Sequence, residues 1–181
     1  MAKGLVVVLD LSWKGEYPMT IQALRESGFD VDSAIVVPDA NINYRYDLFT
    51  EADKYELDKL VQDYDLVAIV GGYRMYYIVT EKKFPSRKLE TQINMQALET
   101  IVKAAAASNR TIVAPLAVPA YLAKLGLLRG RKATVYPTTD LIQLLEQNGV
   151  SFVNAPAVKD GNYVTMKKMI VEELKKCLTS T

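Results

Sequence analysis

Any chemistry in this chain falls to carboxylates, hydroxyls and basic side chains, because its 181 residues include no histidine and only one cysteine, Cys177. That excludes a Ser-His or Cys-His pair, an imidazole proton shuttle and a zinc site built on histidine. It also excludes an intramolecular disulfide and a CxxC site. The residues worth attention fall into three groups: Asp10, Ser12, Trp13 and Glu16; Gly71, Gly72, Tyr73 and Arg74; and Pro115 to Pro119, with Tyr136 further on. Glu16 has two readings. It is a general base or hydrogen-bond acceptor in a pocket, or an acidic residue favoured by the dipole of a first helical turn, with Pro18 supporting that start. Buried in a dry pocket, its pKa should rise unless a donor or cation reaches it, and Arg74 is the candidate partner. Gly71-Gly72 either presents amides to an anion or carbonyl oxygen, or simply meets the steric demand of a tight turn.

These groups matter because of where they fall among the elements. Leu5–Leu9, Leu66–Val70 and Thr111–Ala114 are apolar runs of the kind found in strands covered on both faces, and Val31–Val37 reads as a strand ended by Pro38. Between them, helices are expected over Thr20–Glu26, stopped by Gly28, and over Glu51–Gln62, Gln92–Ala107 and Pro119–Leu125. Asp39–Thr50 reads as an excursion. A short strand at Ala133–Tyr136, a helix at Thr138–Gln147, a strand at Ser151–Val153, a hairpin around Lys159–Asn162 and a helix over Met169–Leu178 follow. The alternation predicts an α/β fold: a three-layer, flavodoxin-like sandwich around a mostly parallel sheet, as a single domain over residues 1–181. In such sheets ligands bind beyond the carboxyl ends of the strands, where all three groups lie.

The ordered set resembles the ThiJ/PfpI superfamily, which shares the class I glutamine amidotransferase-like fold. The resemblance rests on an N-terminal strand leading to a lone Glu16 and the helix-ending Gly28, and on Tyr64-Asp65 opening a strand that ends in Gly71-Gly72. It rests further on Pro119-Ala120-Tyr121-Leu122 starting a helix, and on Leu125–Pro137 with Lys159–Thr165, which look like the PfpI branch. Active relatives carry a cysteine three residues before the proline matched to Pro119, on a tight strand-to-helix turn, often followed by His and Gly. A nearby Glu hydrogen-bonds its sulfur. The resemblance places Leu116, Ala117 and Val118 at those positions, so cysteine-dependent protease, amidase, glyoxalase or deglycase activity is not expected. Cys177, in the terminal helix, reads as a passive surface or packing thiol.

Tyr73–Thr91 is long for a connection and rich in Tyr, with Arg74, Met75 and Phe84, which suits a subunit interface, a ligand lid or an aromatic loop folded on its own surface. The basic clusters Lys82-Lys83, Arg87-Lys88 and Arg129–Lys132 are balanced by as many acids, the net charge being +1, so no nucleic-acid partner is expected. No phosphate-loop, dinucleotide or calcium-loop pattern appears, which predicts neither a cofactor nor a metal. No apolar run spans a membrane or reads as a signal peptide, so a cytoplasmic protein is the expectation.

Three functions fit. One is a non-catalytic small-molecule-binding or structural protein with a site drawn from Trp13, Glu16, Gly71, Gly72, Tyr73, Arg74, Leu116, Ala117 and Tyr136. Another is a cysteine-independent hydrolase or lyase with Glu16 as acid/base and Tyr73 or Tyr136 as its partner. The third is a protein whose role is oligomer assembly, Tyr76 and Tyr77 holding subunits together. The resemblance implies at least a homodimer.

Overall fold

In the computed structural model, residues 1–87 and 92–179 are described. The end of the expected long connection, Lys88–Thr91, lies outside them. Among the described residues, seven strands form the main sheet: β1 (Ala2–Val8), β2 (Phe29–Ile35), β3 (Tyr46–Asp47), β4 (Leu66–Val70), β5 (Thr111–Pro115), β8 (Ala157–Asp160) and β9 (Tyr163–Met166). Their order is β3-β2-β1-β4-β5-β9-β8, parallel except for the β8–β9 hairpin. Two short strands, β6 (Lys132–Ala133) and β7 (Ser151–Phe152), pair apart from it.

Successive residues of the strands serve opposite faces. Leu5, Val7 and Leu9 of the first strand region, with Val67 and Ile69 of β4, pack under one set of helices, while Val6, Val8, Leu66, Ala68 and Val70 pack under the other. The second set is α1 (Glu16–Glu26) and α7 (Val171–Thr179). The first is α2 (Leu57–Val61), α3 (Gly72–Thr80), α4 (Met95–Ala107), α5 (Val118–Lys124) and α6 (Thr139–Gln147). Leu5 to Leu9 are all fully buried, each worth about 1.5–3 kcal/mol relative to exposure. This is the three-layer α/β sandwich with a mostly parallel sheet that the sequence predicts.

Several boundaries differ from the sequence expectation. Helix α1 begins at Glu16 rather than Thr20, after Gly15 in a left-handed conformation (φ +85°). β2 ends at Ile35, before Val36 and Val37, and α4 begins at Met95, where the Asn94 side chain accepts from the Ala97 amide at 3.1 Å. The helix expected over Glu51–Gln62 is split into a 3-10 turn, Ala52–Lys54, and α2. Between them Tyr55 is extended, its ring meeting Tyr46 edge-on at 5.2 Å, so aromatic packing overrides helical continuity. The excursion contains the edge strand β3. The expected strand over Ala133–Tyr136 shrinks to β6, because Tyr136 leaves to donate its amide to the Leu116 carbonyl at 3.0 Å.

The largest difference is α3. Residues expected in a long connection form a nine-residue helix that buries Met75 and Val79. Apolar and aromatic residues at helical spacing, preceded by two glycines, look like loop composition until the face they cover is known.

The sheet order places the crevice. From β1 the chain moves outward through β2 and β3, then returns to build β4, β5 and β9 on the other side, so β1 and β4 flank the topological switch point. Asp10 follows β1 there, and Gly71-Gly72 follows β4.

Candidate functional site

The β1–α1 loop and the start of α3 are tied together amide by amide. Gly72 donates its N–H to Glu16 Oε1 at 3.1 Å, Tyr73 to Ser12 Oγ at 3.1 Å, and Arg74 to Asp10 Oδ2 at 3.0 Å. The Ser12 hydroxyl donates in turn to Asp10, and the Ser12 amide reaches Asp10 Oδ1 at 3.2 Å. The first three amides of α3, ordinarily open to an anion, are therefore satisfied by the protein's own side chains. The anion or oxyanion role considered for Gly72 is not available in this arrangement.

Gly72 is required sterically. Its φ is +53°, and an added Cβ would stand 2.4 Å from Asp10 Oδ2. Gly71 is constrained as well, since a Cβ there would lie 2.8 Å from that of Met75.

Arg74 does not partner Glu16, contrary to the sequence expectation. Its guanidinium is 4% exposed and turns to Asp39, with Nη2 2.8 Å from Oδ2, and to Asp10, with Nε 3.5 Å from Oδ1. Without a cation beside it, Glu16 is 1% exposed, and its Oε2 has no hydrogen-bond partner among the described residues. Burial pushes the Glu16 pKa up to about 8, with the Asp10 charge adding to the rise and the amides of Gly72 and Gly71 opposing it. Near neutral pH the group is mostly a carboxylic acid.

Across the switch point, the turn after β5 carries Leu116 with φ +59°. A left-handed conformation at a residue with a Cβ costs about 1–2 kcal/mol. It is held by the Leu116 amide donating to the Met166 carbonyl at 3.0 Å and by the bond from Tyr136. Leu116 is 4% exposed and forms, with Ala117 and Leu141, the apolar base of a cleft of about 260 Å³. Its walls are Trp13, Tyr73, Tyr76, Tyr77 and Tyr136, with Gly72 and Thr138 completing it. Trp13 lies between two rings, 5.2 Å from Tyr73 at 44° and 5.7 Å from Tyr136 at 71°. Tyr76 donates its hydroxyl to Asp140 at 2.6 Å and accepts from Lys82 at 2.9 Å, and Lys82 bridges to Asp140 at 2.7 Å.

Of the residues singled out in the sequence, Trp13, Gly72, Tyr73, Leu116, Ala117 and Tyr136 meet around this cleft. Glu16, Gly71 and Arg74 do not line it: Glu16 stands behind the Gly72 amide, and Arg74 is buried against two aspartates. Tyr76, Tyr77, Thr138 and Leu141 were missed as site residues. The signal was the aromatic run after Gly72, which on a helix presents rings to one side. Tyr76 and Tyr77 stand in the cleft wall, not on an exposed loop. Asp10 and Ser12 were seen as candidates, but not as the groups that cap α3.

Cys177 packs in the layer of α1 and α7, on the opposite side of the sheet from α5, and burial pushes its thiol pKa up. Among the described residues, no group of three or more His, Cys, Asp or Glu side chains is placed to hold a metal ion, and no helix is long and apolar enough to cross a membrane.

Comparison with known proteins agrees with this architecture. Residues 2–173 match the DJ-1/PfpI family. An uncharacterized protein of Methanocaldococcus jannaschii is 29% identical over 167 residues, covering 92% of this chain and 75% of that protein. Among solved structures, DJ-1 of Schizosaccharomyces pombe superposes with a TM-score of 0.70 at 16% identity, covering 98% of this chain and 88% of that one. A ThiJ/PfpI domain protein of Brachyspira murdochii gives 0.70 at 14% identity, covering 99% and 97%. At such identities the likeness is one of fold.

Proposed function

The chain belongs to the DJ-1/PfpI family, and from that premise we propose that it is a small-molecule-binding member without the family's cysteine chemistry. One observation carries the reading: the strained turn after β5, matched to the nucleophile turn of active relatives, ends in the alkyl side chain of Leu116 beneath an aromatic cleft. An alkyl group has no lone pair to attack a carbonyl. The volume of about 260 Å³ is just under the range of roughly 300–1,000 Å³ usual for ligand sites, which suits a compact molecule.

A second reading, an enzyme using Glu16 as acid/base, is favoured by the pKa of about 8, close to the value a neutral-pH general acid needs. The cleft location counts against it, because Glu16 stands behind Gly72 rather than on the lining. Assembly into a homodimer or larger particle in the cytoplasm completes the proposal, and sedimentation tests the subunit count.

The chain has a single tryptophan, Trp13, so its fluorescence reports directly on the cleft. A panel of small charged and uncharged compounds should include some that shift Trp13 emission saturably and raise the melting temperature. Ala117→Phe, which fills the base, should abolish both effects. Turnover of esters or amides that vanishes in Glu16→Gln, with no ligand effect on Trp13, would establish the enzyme reading instead.

A further inference from the structure

Resting on the binding reading above, we infer that the cleft selects an organic cation, an alkylated ammonium group seated against the faces of Trp13, Tyr73 and Tyr136. The argument begins with the rings. Trp13 meets its two neighbours at 44° and 71°, so neither neighbour stacks parallel on it. Tyr73 and Tyr136 keep 46% and 36% of their surface exposed, which leaves ring area for a ligand. The face of an aromatic ring is the negative pole of its quadrupole, and tryptophan binds cations most strongly of the three aromatic residues.

Among the described residues, the lining contains no lysine or arginine and no carboxylate. A cation entering meets no like charge on the walls, and an anion finds no counter-charge there. Backbone donors do not serve an anion from the α3 side either, because the amides of Gly72, Tyr73 and Arg74 already end on Glu16, Ser12 and Asp10.

The charges immediately behind the walls lean the same way. Asp10 backs the start of α3 and Asp140 holds the Tyr76 hydroxyl, with Asp39 completing the Arg74 pair. Among the described residues, Arg74 and Lys82 are the cations bonded to these carboxylates. Alkylation suits the apolar base of Leu116, Ala117 and Leu141: methyl groups gain contact there, whereas a bare ammonium would leave its N–H donors unmatched.

The test compares two compounds of one shape, choline and 3,3-dimethylbutan-1-ol, in which a quaternary carbon replaces the nitrogen. Both are titrated against the full chain, reading Trp13 emission and binding heat at constant ionic strength. Choline should bind about tenfold or more tighter than the alcohol, in line with cation–π energies at partly desolvated rings. Tyr73→Leu and Tyr136→Leu should each weaken choline more than the alcohol and so reduce that preference severalfold. Tyr73→Phe, which keeps the ring, should retain it. Equal affinity, or tighter binding of the alcohol, would overturn the cation assignment and leave the binding reading standing. Binding of uncharged aromatics with no response to choline would do the same. Silence towards every compound, with the fold intact by circular dichroism, would sink both.

Discussion

Replacing Glu16 with Gln isolates the energetic consequence of burying an acid with no cation beside it. In the folded chain the pKa is about 8, against 4.5 for the unperturbed group. Between those values the native state holds a proton that the unfolded chain has released, so stability falls as pH rises through the window. Each unit is worth about 1.4 kcal/mol. The wild type should therefore lose about 3 kcal/mol between pH 4.5 and 7, and about 5 kcal/mol once pH passes 9. Gln has the shape of the protonated acid and cannot ionise, so Glu16→Gln should be flat where the wild type slopes. At pH 7 the variant should be the more stable by up to about 3 kcal/mol, or roughly 6–12 °C in Tm for a domain of this size. The second hydrogen of the amide finds no more acceptors than the acid does, which lowers this gain by a constant at every pH and leaves the slope untouched. Urea unfolding of both proteins at pH 5, 6, 7 and 8 gives the measurement, because other titrating groups cancel in the difference. A difference that stays constant from pH 5 to 8 would refute the buried-acid argument.

Other outcomes follow from the same geometry. Gly72→Ala drives a methyl into the Asp10 carboxylate from a left-handed backbone and should cost about 3 kcal/mol or more in denaturant melts. Leu116→Cys in a Cys177→Ser background should place a thiol at the base of the cleft. Iodoacetamide should label it, more slowly when a cleft ligand is present; an unlabelled thiol would mean that the turn is closed by packing. Thr138 caps α6 by accepting from the Leu141 amide at 3.3 Å, so Thr138→Ala should lower stability by about 1 kcal/mol in the same melts.

The central strands were legible because Leu5–Val8 of β1, all of β4 and Ile112–Pro115 of β5 are buried on both faces and are apolar at every position. Leu66–Val70 is matched to the residue. The excursion and α3 were not, for a shared reason: tyrosine serves an interface, a loop or a half-buried helix equally well, and only the surface it meets decides. Trp13, Tyr73, Leu116 and Tyr136 could be nominated by position after strands, since a parallel sheet gathers such positions at one end. Their partners could not. Arg74 bonds Asp10, 64 residues away, and Asp39, 35 away, while Glu16, at a similar separation, is left without a cation. Chain distance does not rank three carboxylates, whereas the direction in which α3 leaves β4 does.

The Leu116 turn also bears on how the protein is made. Its amide is fixed by the Met166 carbonyl, and β5 pairs on that side with β9, 51 residues later in register. As the chain leaves the ribosome, β1, β4 and β5 can align while one edge of β5 is still open and Leu116 lacks the Met166 bond that helps to hold it at φ +59°. The bonds that hold the strained turn are complete only when β9 docks. The base of the cleft is therefore a late product of translation, and a nascent chain stalled before residue 166 would carry most of the sheet without a working pocket.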